Sequence, residues 1–147
     1  MKTFFLAQIG RQFFGLTKEC VAGVGVRNDK VKPLEEDGKK FLSLPNGSQA
    51  VICDLQSFMG GGEASLHAKQ NHYLIINHQK RFMALAMTGK GRIVTADETA
   101  SRPLPSVFTG MSRELIPGVL INCMDLILLV DLEALLNVPD WTVRQQG

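Results

Sequence analysis

Ile127-Leu128-Leu129-Val130-Asp131-Leu132-Glu133-Ala134-Leu135-Leu136 decides the fold, because an earlier stretch repeats its design. Ala50-Val51-Ile52-Cys53-Asp54-Leu55-Gln56-Ser57-Phe58-Met59 has the same order: an apolar run, an Asp-Leu step, then apolar residues three and four apart. The two Asp residues stand 77 positions apart. A short apolar run bounded in this way suits a buried strand, and apolar residues at helical spacing suit a helical turn. An Asp at the junction can accept hydrogen bonds from the free N–H groups of that turn. The Leu after it anchors the turn to a core. Asp54, Leu55, Asp131 and Leu132 are therefore read as structural residues.

Working outward, a second echo appears. Arg11-Gln12-Phe13-Phe14-Gly15-Leu16 matches Lys80-Arg81-Phe82-Met83-Ala84-Leu85, with Lys80 standing 69 positions after Arg11. The rest of the chain is mostly strand-like. Thr3–Ile9 and Gln12–Leu16 flank Gly10-Arg11 and read as a hairpin. Glu19–Val26 reads as a helical turn running into a strand. Asn28–Lys40 is polar, contains Pro33, Asp37 and Gly38, and reads as an exposed ribbon or loop. Lys40–Leu44 and Gln49–Leu55 form a strand pair about Pro45-Asn46-Gly47, where Pro presets φ and Asn and Gly tolerate positive φ. The run Gly60-Gly61-Gly62 costs too much backbone entropy to sit inside an element, so it reads as a connection between halves.

The second half uses the same grammar. His72–Asn77 and Arg81–Met87 are strands about a His78-Gln79 turn. Gly89–Thr95 is extended, and Asp97–Pro105 is a polar loop with two prolines. Gly118–Cys123 and Leu126–Val130 pair about Met124-Asp125. Leu132–Val138 is one or two helical turns capped by Asp131, stopped by Pro139 and Asp140. The expectation is one mainly β domain over residues 1–138, with lobe one about 1–60 and lobe two about 70–138, contiguous or interleaved. Neither lobe is large enough to bury much core alone, so they should share surface. Residues 139–147 read as a polar tail.

Composition narrows the function. The 147 residues carry 16 basic and 14 acidic side chains, a net charge of +2. No basic face for nucleic acid and no basic amphipathic helix for a membrane surface stands out. MKTFFLAQIGRQFF superficially resembles a signal peptide, but Gln8 breaks the apolar run and Arg11 ends it. It reads as a first strand of a cytoplasmic protein. Cys20, Cys53 and Cys123 are scattered, without the short spacings of a zinc knuckle or a redox pair, and read as buried thiols.

No constellation argues for catalysis. His67, His72 and His78 have spacings of five and six, which share no helix face, and His72 and His78 sit at opposite ends of one strand. The Gly60-Gly61-Gly62 run lacks the Lys-Ser/Thr of a phosphate loop, and no nucleophile motif is present. Glu35-Glu36-Asp37 reads as a solvated loop. With 6 Met and 8 Phe the chain suits packing and partner contacts more than chemistry. No catalytic residue, metal or cofactor is assigned. A small β-barrel enzyme or ligand-binding domain remains the rival, and it would need polar groups converging on a pocket.

The chain resembles the CheW-like domain, the adaptor module of chemotaxis-type signalling, over nearly its whole length from about Phe4 to Asn137. The opening hairpin corresponds to Phe4–Leu16. The turn before the first lobe's closing strand corresponds to Phe41–Gly47, and its V-x-D-L ending to Ile52-Cys53-Asp54-Leu55. The close, a Gly-Val strand and then D-L-x-x-L-L, corresponds to Gly118–Ile121 and Leu128–Leu136. The resemblance implies two small five-stranded β-barrel lobes over a shared core, no cofactor, and no catalysis. It implies a cytoplasmic scaffold whose partners are a CheA-type histidine kinase and a chemoreceptor cytoplasmic tip. The groove between lobes would take a receptor helix, and Pro45, Asn46 and Gly47 are the candidate partner-binding residues. Gly118 would serve backbone geometry. Asn46 stands where the family usually has Arg, and an amide does not replace a charged, forked donor. An interaction domain serving another pathway, such as surface motility, is the alternative.

Overall fold

The structure is a computed structural model that describes residues 1–53, 55, 72–106, 113–122 and 125–137. Asp54, Gly60-Gly61-Gly62, His67, Cys123, Met124 and the tail 139–147 lie outside the described residues.

The chain opens with β1 (Lys2–Ile9) and β2 (Gln12–Thr17), an antiparallel hairpin turning at Gly10. A 3-10 turn, Lys18–Cys20, leads into β3 (Val21–Val26). Three antiparallel neighbours follow: β4 (Lys32–Glu36), β5 (Lys39–Ser43) and β6 (Gln49–Cys53). The second half has β7 (His72–His78), β8 (Arg81–Met87), β9 (Arg92–Ala96), a 3-10 turn Glu98–Ala100 and β10 (Arg102–Pro103). It closes with β11 (Gly118–Asn122), β12 (Asp125–Leu129) and α1 (Leu132–Leu136).

Two six-stranded sheets result, in the orders β10-β11-β12-β2-β1-β9 and β4-β5-β6-β8-β7-β3. The orders superpose element for element: each sheet has an antiparallel hairpin at its middle and a parallel joint to a strand from the other half of the chain. The first half supplies β1 and β2 to one sheet and β3 to β6 to the other, and the second half does the reverse. The sequence echoes predict the register of those joints. Val51 faces Met83 and Ile52 faces Ala84 across β6 and β8. Their equivalents by the two offsets, Leu128 with Phe14 and Leu129 with Gly15, face each other across β12 and β2.

Several expectations need correction. The two-lobe β architecture holds, but among the described residues each sheet carries six strands where five were expected. The extra ones, β4 and β10, come from segments read as ribbon and loop. Both carry a proline, Pro33 and Pro103, and both are edge strands, where a missing N–H can face solvent. The β7–β8 turn is Gln79-Lys80 rather than His78-Gln79, with φ of 53° and 64°. Asp125 belongs to β12 rather than to the turn before it.

Burial follows a three-core plan. Alternate residues of β1, β7 and β8 point to opposite faces, and both faces are buried, which explains their continuous apolar runs. Phe5, Ala7, Leu74, Ile76, Met83, Leu85 and Met87 enter a core shared by both sheets, joined by Leu128, Leu132, Leu135 and Leu136. Phe4 and Leu6 face a smaller core with Leu120 and Ile127. Tyr73, Ile75, Ala84 and Ala86 face its counterpart with Leu42, Ala50 and Ile52.

Candidate docking surface

Pro45, Asn46 and Gly47 form the exposed tip of the β5–β6 hairpin. Gly47 N–H donates to Leu44 O at 3.0 Å, and Leu44 N–H donates to Ser48 O at 3.0 Å. Asn46 Oδ1 accepts from Ser48 N–H at 2.9 Å and from the Ser48 hydroxyl at 2.5 Å. That bond pattern is an Asx-turn, in which the side chain mimics backbone and stiffens the tip. Gly47 has φ of 87°, a conformation that a side chain disfavours. The tip therefore presents a rigid backbone, with the oxygen of Asn46 committed to its own turn.

The other singled-out residues lie elsewhere and hold the frame. Asp131 caps α1: its Oδ1 accepts from Ala134 N–H at 3.2 Å, and its own N–H donates to Leu115 O at 2.9 Å. Leu132 and Leu55 are buried in the shared core. Gly118 is buried on β11, where a Cβ would stand 2.8 Å from Arg102 O on β10. Gly118, Asp131 and Leu132 attach to the sheet that holds β10–β12, whereas the 45–47 tip belongs to the other. The cap expected at Asp54 lies outside the described residues.

Register reveals apolar positions that the sequence reading did not single out. Val24 pairs with Leu74, Ile93 pairs with Phe5, and Ile121 is two residues from Val119 on the same strand. Leu74, Phe5 and Val119 all enter the shared core. Side chains two apart, or opposite one another in register, share a face. Val24, Ile93 and Ile121 thus lie on the core-bearing faces, yet are 42%, 54% and 72% exposed. Val26, also on this face of β3, is 49% exposed. β3 and β9 are the matching edge strands of the two sheets. Exposed apolar side chains on core-bearing faces are candidate partner contacts.

His72 and His78 do not converge. His72 and His78 occupy opposite ends of β7, about 20 Å apart at strand rise. His78 meets Glu133 and Cys20 instead. Among the described residues no group of His, Cys, Asp and Glu side chains fits a metal ion. Cys53 is buried, but Cys20 is only half-buried, because the 3-10 turn that carries it buries none of its residues. A cavity of about 260 Å³ opens beside β4 on the core that holds Ile52 and Tyr73, lined by these two and by Arg27, Leu34, Glu35 and Lys40. Burial pushes the Tyr73 hydroxyl above its usual range, and the Arg27 charge partly opposes that.

No family model matches the chain, and no curated protein matches it in sequence. A solved structure does match in shape: the scaffolding protein TtCheW from Thermoanaerobacter tengcongensis, with a TM-score of 0.73 at 18% identity, covering 94% of this chain and 94% of that one. The chain has a CheW-like fold. The closing strand and helix, the hairpin echo and the shared core are all parts of that one architecture. No helix among the described residues is long and apolar enough to cross a membrane. What the sequence withheld from this CheW-like frame was which apolar side chains stay exposed. Val24 and Val26 alternate with Gly23 and Gly25, a period-2 pattern that marks a strand but leaves open which face is covered.

Proposed function

We propose that this chain is a non-catalytic adaptor that couples chemoreceptors to a CheA-type histidine kinase in a chemotaxis-like pathway of the cytoplasm. The observation that carries the reading is the CheW-like fold itself, with the exposed apolar side chains of Val24, Val26, Ile93 and Ile121 on its core-bearing faces. A receptor helix presents an apolar stripe every three to four residues, and such a stripe can cover exposed apolar side chains of this kind. The stiff 45–47 tip is a second contact, made through backbone groups rather than through the guanidinium that the resemblance would place there. A solved scaffolding protein of the same fold supports the scaffold role.

The test is co-purification of the tagged chain from its native cells, with mass spectrometry of what is retained. Recovery of a chemoreceptor or a CheA-type kinase, lost on Ile93→Glu, is expected. Reproducible recovery of other proteins, with neither of these present, moves the chain to a different pathway and overturns the coupling role.

A further inference from the structure

Three segments distant in sequence meet where the chain crosses between sheets. Thr17 ends β2, Cys20 ends the 3-10 turn, His78 ends β7, and Glu133 sits in α1. Cys20 Sγ lies 3.7 Å from His78 Nδ1 and 3.4 Å from Thr17 Oγ1. His78 Nε2 lies 3.3 Å from Glu133 Oε1, which also accepts from Gln79 Nε2 at 3.1 Å.

A neutral His78 has one arrangement of protons that serves both of its contacts. A carboxylate only accepts, so His78 donates to Glu133 through Nε2–H. A neutral imidazole then has its lone pair on Nδ1, the nitrogen that faces Cys20. With His78 neutral, the Cys20 thiol can donate to that lone pair and the Thr17 hydroxyl to sulfur. A thiol, a base beside it and a group that orients the base are the parts of an activated nucleophile. Cys20 is half-buried, so a small reagent can reach it, whereas Cys53 is buried. The proposed adaptor role uses none of these groups.

We propose that Cys20 is a modification site for small peroxides, with His78 as its proton carrier and Glu133 as the positioning residue. Sγ attacks the nearer peroxide oxygen, forming the S–O bond as the O–O bond breaks. The thiol proton passes to His78 Nδ1 and on to the departing oxygen, which leaves as water when the reagent is hydrogen peroxide. Sulfur is oxidised to a sulfenic acid and the peroxide is reduced, so the step needs no further reactant. The modified sulfur no longer donates a thiol proton to His78. The signal would therefore be written at the crossover that ties the two sheets together.

The experiment treats the full chain with hydrogen peroxide at fixed pH, traps sulfenic acid with dimedone, and maps Cys20, Cys53 and Cys123 by peptide mass spectrometry. Cys20 should be trapped before Cys53. His78→Gln should slow trapping at Cys20 by at least about tenfold, within the range that a positioned acid–base group supplies. Glu133 is exposed, so Glu133→Ala should keep the fold while slowing trapping. Glu133→Gln, whose amide oxygen still accepts from Nε2–H, should fall between Glu133→Ala and the unaltered chain. Circular dichroism checks that each variant is folded, and Glu133→Ala decides the matter if His78→Gln is not. Equal rates at Cys20 in the unaltered chain and in a folded His78→Gln or Glu133→Ala variant would overturn the proposal.

Discussion

Two glycines with similar positive φ but different surroundings give a sharp test of the packing. Gly47 has φ of 87° and Gly91 has φ of 77°. Alanine at either position adds the cost of a left-handed conformation, about 1–2 kcal/mol. Nothing lies within 4 Å of a Cβ on Gly47, so Gly47→Ala should cost little more than that. At Gly91 a Cβ would stand 2.5 Å from Phe5 Cε1, 2.6 Å from Phe5 Cζ and 2.8 Å from Leu6 O. The Phe5 ring is buried in the shared core and Leu6 O belongs to the paired backbone of β1, so neither gives way freely. Overpacking of this kind adds about 1–3 kcal/mol, for a total of about 2–5 kcal/mol. Urea unfolding with a common slope reads both values. Equal losses for the two substitutions would refute the inference that β1 and the loop before β9 pack as closely as described.

Other outcomes follow from single contacts. Leu135→Ala removes a fully buried side chain from the core that both sheets share, and should cost about 2–5 kcal/mol in urea unfolding. Asp131→Ala removes the cap on α1 and should cost about 1 kcal/mol, whereas Asp131→Asn, which still accepts from Ala134 N–H, should cost less in the same assay. Hydrogen bonds from the Thr99 hydroxyl and the Thr99 N–H hold the Asp97 carboxyl below its usual range. A depressed folded value means that its stabilising contribution is present above the ordinary carboxylate range and is lost as pH falls through the folded value. An NMR titration should therefore show Asp97 moving back up in Thr99→Val, with little change elsewhere.

The sequence made some features legible because local chemistry and tertiary structure agree on them. Asp131 is a cap in both, since the strand ends where the helix begins and one carboxylate serves the junction. The echoes carried real registers because β2–β12 and β6–β8 are equivalent joints. Other features were written in the sequence but read for polarity alone. Asp37-Gly38 is the two-residue turn of the β4–β5 hairpin, with φ of 54° and 80°, and Glu35 and Glu36 face Lys40 and Lys39 across it. Charges that suggest a solvated loop are here cross-strand pairs on an edge, where charge also discourages unwanted strand pairing. The Gln79-Lys80 turn has no glycine to announce it. Its hairpin is instead clasped by α1, through Gln79 to Glu133 and Arg81 to the Leu136 carbonyl. Such contacts span more than fifty residues and leave no local pattern, as does the meeting of Cys20 with His78.

The most direct test of the adaptor reading is isothermal titration of the purified chain with a chemoreceptor cytoplasmic tip and with the regulatory domain of a CheA-type kinase from the same cell. Saturable binding to at least one of them, abolished by Ile93→Glu or Val24→Glu in a variant that melts like the original, is the result this account predicts. No binding to either, or binding that neither substitution weakens, would contradict it.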